Sequence, residues 1–299
     1  MITGFTIILE DDVLYCSDQN KYNLFEIVLF VEKLISSINP RYTWRLRQIC
    51  LKAQKKGRET IVLKHVITKK QQNLFFCIIG KFDVNSIETF KIVNEFSKQV
   101  KIQYRNLSEL KYAAEDPTFT KVMDLISSYL RDKYLEPLEE EIIFDEKGNN
   151  VKNVIIYAGI SSQGLPIISE LCDPDLLMNI TSEKSLENIE LFSSDLSAKL
   201  ETIAMNTQIR GKTKIKEILI NDIEDTSKKM AILFGNINGY SLDFIASGVF
   251  YKIKNIFRQF KSRMSKDEIF DKEFAGDLKP FKHLKQSLNQ IIKEFDYSN

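Results

Sequence analysis

The chain has 299 residues, 43% of them apolar and 11% aromatic, with 42 Lys and Arg against 41 Asp and Glu. That is enough apolar material for two cores of ordinary size, and a charge balance that argues against a polyanionic partner for the molecule as a whole. The four cysteines, Cys16, Cys50, Cys77 and Cys172, are far apart and form no C-x-x-C, and His65 and His283 have no Cys or His nearby, so neither a metal nor a cofactor is expected.

Residues 2–9 and 13–17 read as two strands joined at Asp11-Asp12. The stretch "NKYNLFEIVLFVEKLISSI", residues 20–38, follows as a helix that Asn39-Pro40 stops. Leu24, Ile27, Val28, Val31, Leu34, Ile35 and Ile38 form its core-facing stripe, while Tyr22, Phe25, Leu29 and Phe30 fall outside it. A helix apolar on nearly every side needs cover on both sides, from later helices of its own domain or from a second body. Glu26, Glu32 and Lys33 interrupt it, so it is too polar for a membrane span, which needs about 18 apolar residues. The opening residues carry no basic n-region, and a cytoplasmic location is expected.

Three β-rich segments come next, "YTWRLRQICLK", "ETIVLKHVI" and "NLFFCIIGKF", separated by polar turns, and then helices over 84–103 and 118–135. The stretch "EPLEEEIIFDEKGNN", rich in acid and ending Gly-Asn-Asn, reads as a linker. After it the order repeats: strands "NVIIYAGI" and "LPIISEL", helix "SLENIELFSSDLSAKLETIAMN", strands "TKIKEILIND", "KKMAILFGNI" and "GYSLDFIAS", then helices "GVFYKIKNIFRQFKSRM" and "LKPFKHLKQSLNQIIKEF". The expected class is α+β, with two domains, 1–137 and 151–299, around an acidic linker at 138–150. Each is β-β-α-β-β-β-α-α, a five-stranded antiparallel sheet with one helix on one face and two on the other. The face with a single helix is left partly bare, and the outer side of helix 20–38 is expected to be an interface with the equivalent helix of another such domain. On helix 186–206 the small residues Ser193, Ser194, Ser197 and Ala198 would let a neighbouring helix come close.

This order, with the opening "ITGFTIILEDDVLY" and the helix after it, resembles the longin domain, twice over, in the longin and roadblock superfamily. The resemblance implies a protein-interaction module of the kind found in vesicle trafficking, in which the first helix and third strand of one domain meet those of another and the platform binds a small GTPase. Carried over by position, it implicates Phe25, Leu29 and Glu32 on the helix and Tyr42, Trp44, Arg45 and Arg47 on the strand; the small residues Ser193 and Ser197 of helix 186–206 complete the expected partner surface on the separate ground of their size. It implies no catalytic residue. The chain has two such units where the multi-longin exchange subunits have three, and it lacks a SNARE segment. A guanine-nucleotide exchange or GTPase-activating subunit and a structural coat or adaptor subunit are the alternatives.

Charge is uneven along the chain. Residues 41–70 hold ten Lys or Arg and a single acid, Glu59. With strict alternation Tyr42, Trp44, Leu46 and Gln48 share one face, and Arg41, Arg45, Arg47 and Ile49 the other. Protection of an edge strand, an acidic protein partner, and phospholipid are the readings; interleaved aromatic platforms for nucleic acid are missing. In the helix at 248–264, Lys252, Lys254, Arg258 and Lys261 oppose Val249, Phe250, Ile253, Ile256, Phe257 and Phe260. Such a helix either packs on its own sheet or lies on an anionic membrane as a peripheral contact. No Walker loop, G-x-S-x-G or dinucleotide fingerprint occurs, and a non-enzymatic protein is expected.

Overall fold

The computed structural model describes residues 1–38, 44–52, 57–82, 87–134, 153–173, 185–222 and 229–296. Tyr42, the side chain of Trp44 and the acidic linker lie outside the described residues.

The first half runs β1 (Ile2–Leu9), β2 (Asp12–Cys16), α1 (Tyr22–Ile38), β3 (Trp44–Lys52), β4 (Arg58–Ile67), β5 (Asn73–Gly80), α2 (Ile87–Gln103), α3 (Leu107–Ala113) and α4 (Pro117–Lys133). The second runs β6 (Val154–Ser162), β7 (Leu165–Leu171), α5 (Leu186–Gly211), β8 (Ile215–Asp222), β9 (Lys229–Ile237), β10 (Tyr240–Ser247), α6 (Phe250–Met264) and α7 (Lys282–Asp296). The class is α+β, and every strand pairing is antiparallel. Local chemistry explains most boundaries. Gln163-Gly164 and Asn238-Gly239 adopt positive φ, the primed-turn geometry whose twist suits a two-residue hairpin loop. Asp116 caps α4 by accepting the Thr118 N–H at 2.8 Å, with Pro117 in the first turn where its missing N–H costs nothing. The periodicity placed the end of the second-half helix at residue 206, yet α5 continues to Gly211 and ends on Lys212 in the left-handed region, φ 48°.

The main departure from expectation is the sheet. Two separate five-stranded sheets were expected; the strands form one sheet of ten, in the order β2-β1-β5-β4-β3-β8-β9-β10-β6-β7. Each half contributes five adjacent strands in matching order, and β3 and β8 join them. The strand expected to be an edge is therefore interior, paired to β4 on one side and β8 on the other. Its arginines cannot serve as edge protection.

One face of this sheet carries α1 and α5, which pack against each other. Beneath them lies a core that draws on both halves: Phe25, Ile27, Val28, Val31 and Ile35 of α1, Leu196, Leu200 and Ile203 of α5, and Ile49, Ile218 and Ile232 of the central strands. The two helices run antiparallel, since Gly211 lies against Leu24 and Ile27 while Lys199 donates to the Ser37 carbonyl at 3.3 Å. The other face has two separate cores. One lies under α2 and α4, around Phe5, Phe76, Phe96 and Phe119; the other lies under α6 and α7, around Phe244, Phe260, Leu284 and Leu288. The cover that α1 requires is thus supplied by α5 of the same chain. Among the described residues no helix is long and apolar enough to cross a membrane.

Candidate functional site

The residues assigned to a partner surface on α1 and β3 divide sharply. Phe25 is fully buried, its ring packed toward Gly4: a Cβ built on that glycine would sit 3.5 Å from the Phe25 Cζ. It fills the protein's own core and is inaccessible to a separate chain, because the sheet of the first half, and not a neighbour, takes up this side of the helix. Leu29 and Phe30 are half-buried on the shared core, and the Arg210 guanidinium of α5 stands 6.0 Å over the Phe30 ring. Along the outer side of this helix pair, Met205 and Ile209 of α5 are 47% and 69% exposed.

Glu32 is also interior. Burial raises its carboxyl to about 7, against the opposing pull of the Arg45 guanidinium and a hydrogen bond from the Leu46 backbone. Its Oε1 lies 3.6 Å from Nδ1 of His65, whose Nε2 donates to Asn73 Oδ1 at 2.8 Å and whose ring stacks on Phe75 at 4.3 Å. Burial pushes His65 down to about 4. Arg45 therefore faces α1, whereas the Arg47 guanidinium lies on the opposite side of the sheet, 3.9 Å above the Phe90 ring of α2. Strict alternation had put both arginines on one face. The β3–β8 register jumps between Leu46 and Gln48, and this bulge reverses the sense of alternation at Arg47.

Ser193 and Ser197 were expected to admit a neighbouring helix. Both are buried, and Ser197 faces the Tyr157 hydroxyl beneath α5. The close approach of α1 is made at Gly211 instead, where a Cβ would meet Ile27 Cδ1 at 2.6 Å. Ser193, Ser197 and Glu201 recur every four residues and form a stripe on α5. Opposite them are Tyr157, Gly159 and Ser161, alternate residues of β6, and Asp243 of β10, paired in register with Gly159. Glu201 Oε1 accepts the Gly164 N–H at 3.0 Å. Asp243 is 1% exposed, and neither of its carboxyl oxygens has a hydrogen-bond donor among the described residues. Burial, then the neighbouring Glu201, hold it well above the usual carboxylate range, because a charge here would have neither water nor a donor to stabilise it. This polar chamber within an apolar layer was missed from the sequence. The one signal was a carboxylate at an inward position of "YSLDFIAS".

The two basic segments that stood apart in the sequence meet on the far face of the sheet. A cleft of about 270 Å³ lies over the β3–β8 seam, lined by Lys52 and Arg58 from the first half and Lys216, Glu217, Lys254 and Arg258 from the second. Its apolar walls come from Cys50, Leu233 and Phe257. Glu217 bridges the halves, with its two oxygens 2.7 Å from Arg58 Nη2 and 2.6 Å from Lys254 Nζ. The membrane-lying alternative for α6 is not what the structure shows. Ile253, Ile256, Phe260 and Met264 are buried on the sheet, which occupies the apolar face that would have entered a bilayer. Lys252 and Lys261 point to solvent, while Lys254 and Arg258 turn into the cleft.

No protein-family model and no curated protein matches the chain. Among solved structures it is matched with an RNA-binding light-oxygen-voltage receptor at 9% identity, over 87% of this chain and 99% of that one. The TM-score is 0.17, which carries no assignment of fold or activity.

Proposed function

We propose that the chain is a non-enzymatic interaction scaffold of tandem longin type, and that the outer side of the α1–α5 pair receives a small GTPase or a longin- or roadblock-type subunit of a trafficking-like complex. The observation that supports it is the junction itself. The third strand and first helix of each half meet their counterparts, at β3–β8 and α1–α5, which is the pairing the longin resemblance implies between separate domains. Here both partners lie in one chain, so the internal faces of α1 and α5 are consumed. What they leave outward is the ridge with Leu29, Phe30, Met205 and Ile209, flanked by Arg210.

The test is binding of the full chain to a panel of purified small GTPases, each loaded with GDP or a non-hydrolysable GTP analogue, followed by nucleotide-release and hydrolysis rates. Saturable binding that Ile209→Asp abolishes, with rates unchanged, fits the scaffold. Accelerated release or hydrolysis would replace it with an exchange or activating role. Binding to none of the panel, or binding indifferent to Ile209→Asp, refutes the assignment to this ridge.

A further inference from the structure

The cleft over the seam lies on the opposite face from the α1–α5 ridge, and the inference drawn from it stands apart from the GTPase reading. Five cationic side chains line it, Lys52, Arg58, Lys216, Lys254 and Arg258, against the single carboxylate of Glu217. That carboxylate is already committed to Arg58 and Lys254. Among the described residues no acidic group pairs with Lys52, Lys216 or Arg258. Lys214 and Lys261 add to the same field: Lys216 holds its proton less firmly than usual because of desolvation and then because of Lys261, Lys214 and Lys52. Charges of one sign gathered well within a screening length, of the order of 10 Å, repel one another, and an anion in their midst removes the repulsion.

The backbone contributes a second, independent observation. The β3–β8 ladder pairs Cys50 with Glu217 and Leu51 with Ile215, leaving Lys216 out of the register. A bulge re-aims a side chain, and bulges concentrate beside binding sites. This one puts Lys216 and Glu217, neighbours that would otherwise point to opposite faces, on the rim of the same cleft. Glu217 in turn fixes the Arg58 guanidinium and the Lys254 ammonium in place. A guanidinium fork beside point-charge ammonium groups suits phosphoryl oxygens, which accept several charge-assisted hydrogen bonds at once. The concave form, with Leu233 and Phe257 among its walls, fits a compact ligand better than a flat bilayer surface.

We propose that the β3–β8 cleft binds a compact ligand bearing two or more phosphoryl groups, held by Lys52, Arg58, Lys216 and Arg258 from both halves of the chain. Such a group occurs free, as in a pyrophosphate or inositol phosphate, or as a lipid headgroup.

Isothermal titration of the full chain with inorganic pyrophosphate and with inositol trisphosphate, at low and at physiological ionic strength, tests this. Vesicles of phosphatidylcholine with and without phosphatidylinositol bisphosphate, and polyglutamate, are titrated in parallel. Saturable binding of the soluble phosphates is expected, weakening with salt. Lys216→Gln and Arg258→Gln, both at exposed side chains, should each weaken it about tenfold, a change of about 1.4 kcal/mol, with the circular dichroism spectrum unchanged from the parent. Lys293→Gln on α7, away from the cleft, should leave it unchanged. Binding to the doped vesicles that the soluble headgroup displaces identifies the lipid as a source; binding of the soluble phosphates alone identifies the free one. Failure of both soluble phosphates and doped vesicles to bind overturns the proposal. So does binding unaltered in the Lys216→Gln, Arg258→Gln double variant, or polyglutamate binding as tightly as the phosphates, which would make this a cleft for acidic protein.

Discussion

Replacing Phe25 by Asp separates a helix that seals its own core from one that waits for another chain. Phe25 is 0% exposed and packs among Val28, Phe75 and Ile79 in the core shared by both halves. Truncation of such a ring to Ala costs about 3–5 kcal/mol in lost transfer energy and cavity. Asp adds a carboxyl with no designed partner, worth roughly a further 1–3 kcal/mol if it protonates and more if it stays charged. Together these reach about 4–8 kcal/mol, comparable with the lower part of the roughly 5–15 kcal/mol that holds a protein folded. Leu29, only half-buried, has less to lose, and Leu29→Asp should cost about 1–2 kcal/mol. Urea unfolding followed by circular dichroism, with size-exclusion chromatography, distinguishes them. Leu29→Asp should be folded with a lowered midpoint; Phe25→Asp, alone or combined with it, should be insoluble or unfolded. A soluble, monodisperse Phe25→Asp protein with an unshifted midpoint would refute the assignment of Phe25 to the interior.

Asp243→Asn removes a carboxyl whose pKa is raised in the folded state. Such a group contributes most to stability below its unfolded pKa, about 4, and its contribution is lost as pH rises toward the folded value. The variant should therefore gain stability relative to the parent as pH rises above about 4, measured by thermal melts in a buffer series; a difference that does not change with pH would contradict a raised pKa at Asp243. Gly211→Leu should lower the melting temperature, because its side chain meets Ile27 and Leu24 at the α1–α5 crossing and overpacking of this kind costs about 1–3 kcal/mol. Gly211→Ala should be close to neutral: the flexible Ile27 methyl can turn aside, and Ala is favoured over Gly in a helix by about 1 kcal/mol. Arg47→Ala should cost about 0.5–2 kcal/mol through the contact with Phe90, read as a shift in urea midpoint with the hydrodynamic size unchanged.

Periodicity located most of the elements, though not α3, and the inner faces of most of them, though not the facing of Phe25 or Arg47. The period of 3.6 in "NLFEIVLFVEKLISSI" and the apolar runs of "NLFFCIIG" and "AILFG" each report which side of a local segment avoids water, and that information is carried by neighbours in sequence. It also showed that helix 20–38 required cover and that the two halves follow one pattern. Only the tertiary structure decided what the cover was. Pairing of β3 with β8 depends on complementarity between segments some 170 positions apart, as in Arg45 opposite Asn221, and no local pattern distinguishes an interior strand from an edge. The bulges at Arg47 and Lys216 belong to the pairing of those two strands; the first reversed the expected facing of Arg47, and the second turned Lys216 to the same side as Glu217. Asp243 beneath α5, and the meeting of Lys52 and Arg58 with Lys216 and Arg258, arise the same way: burial and charge density are properties of what packs alongside a residue, which its own segment does not encode.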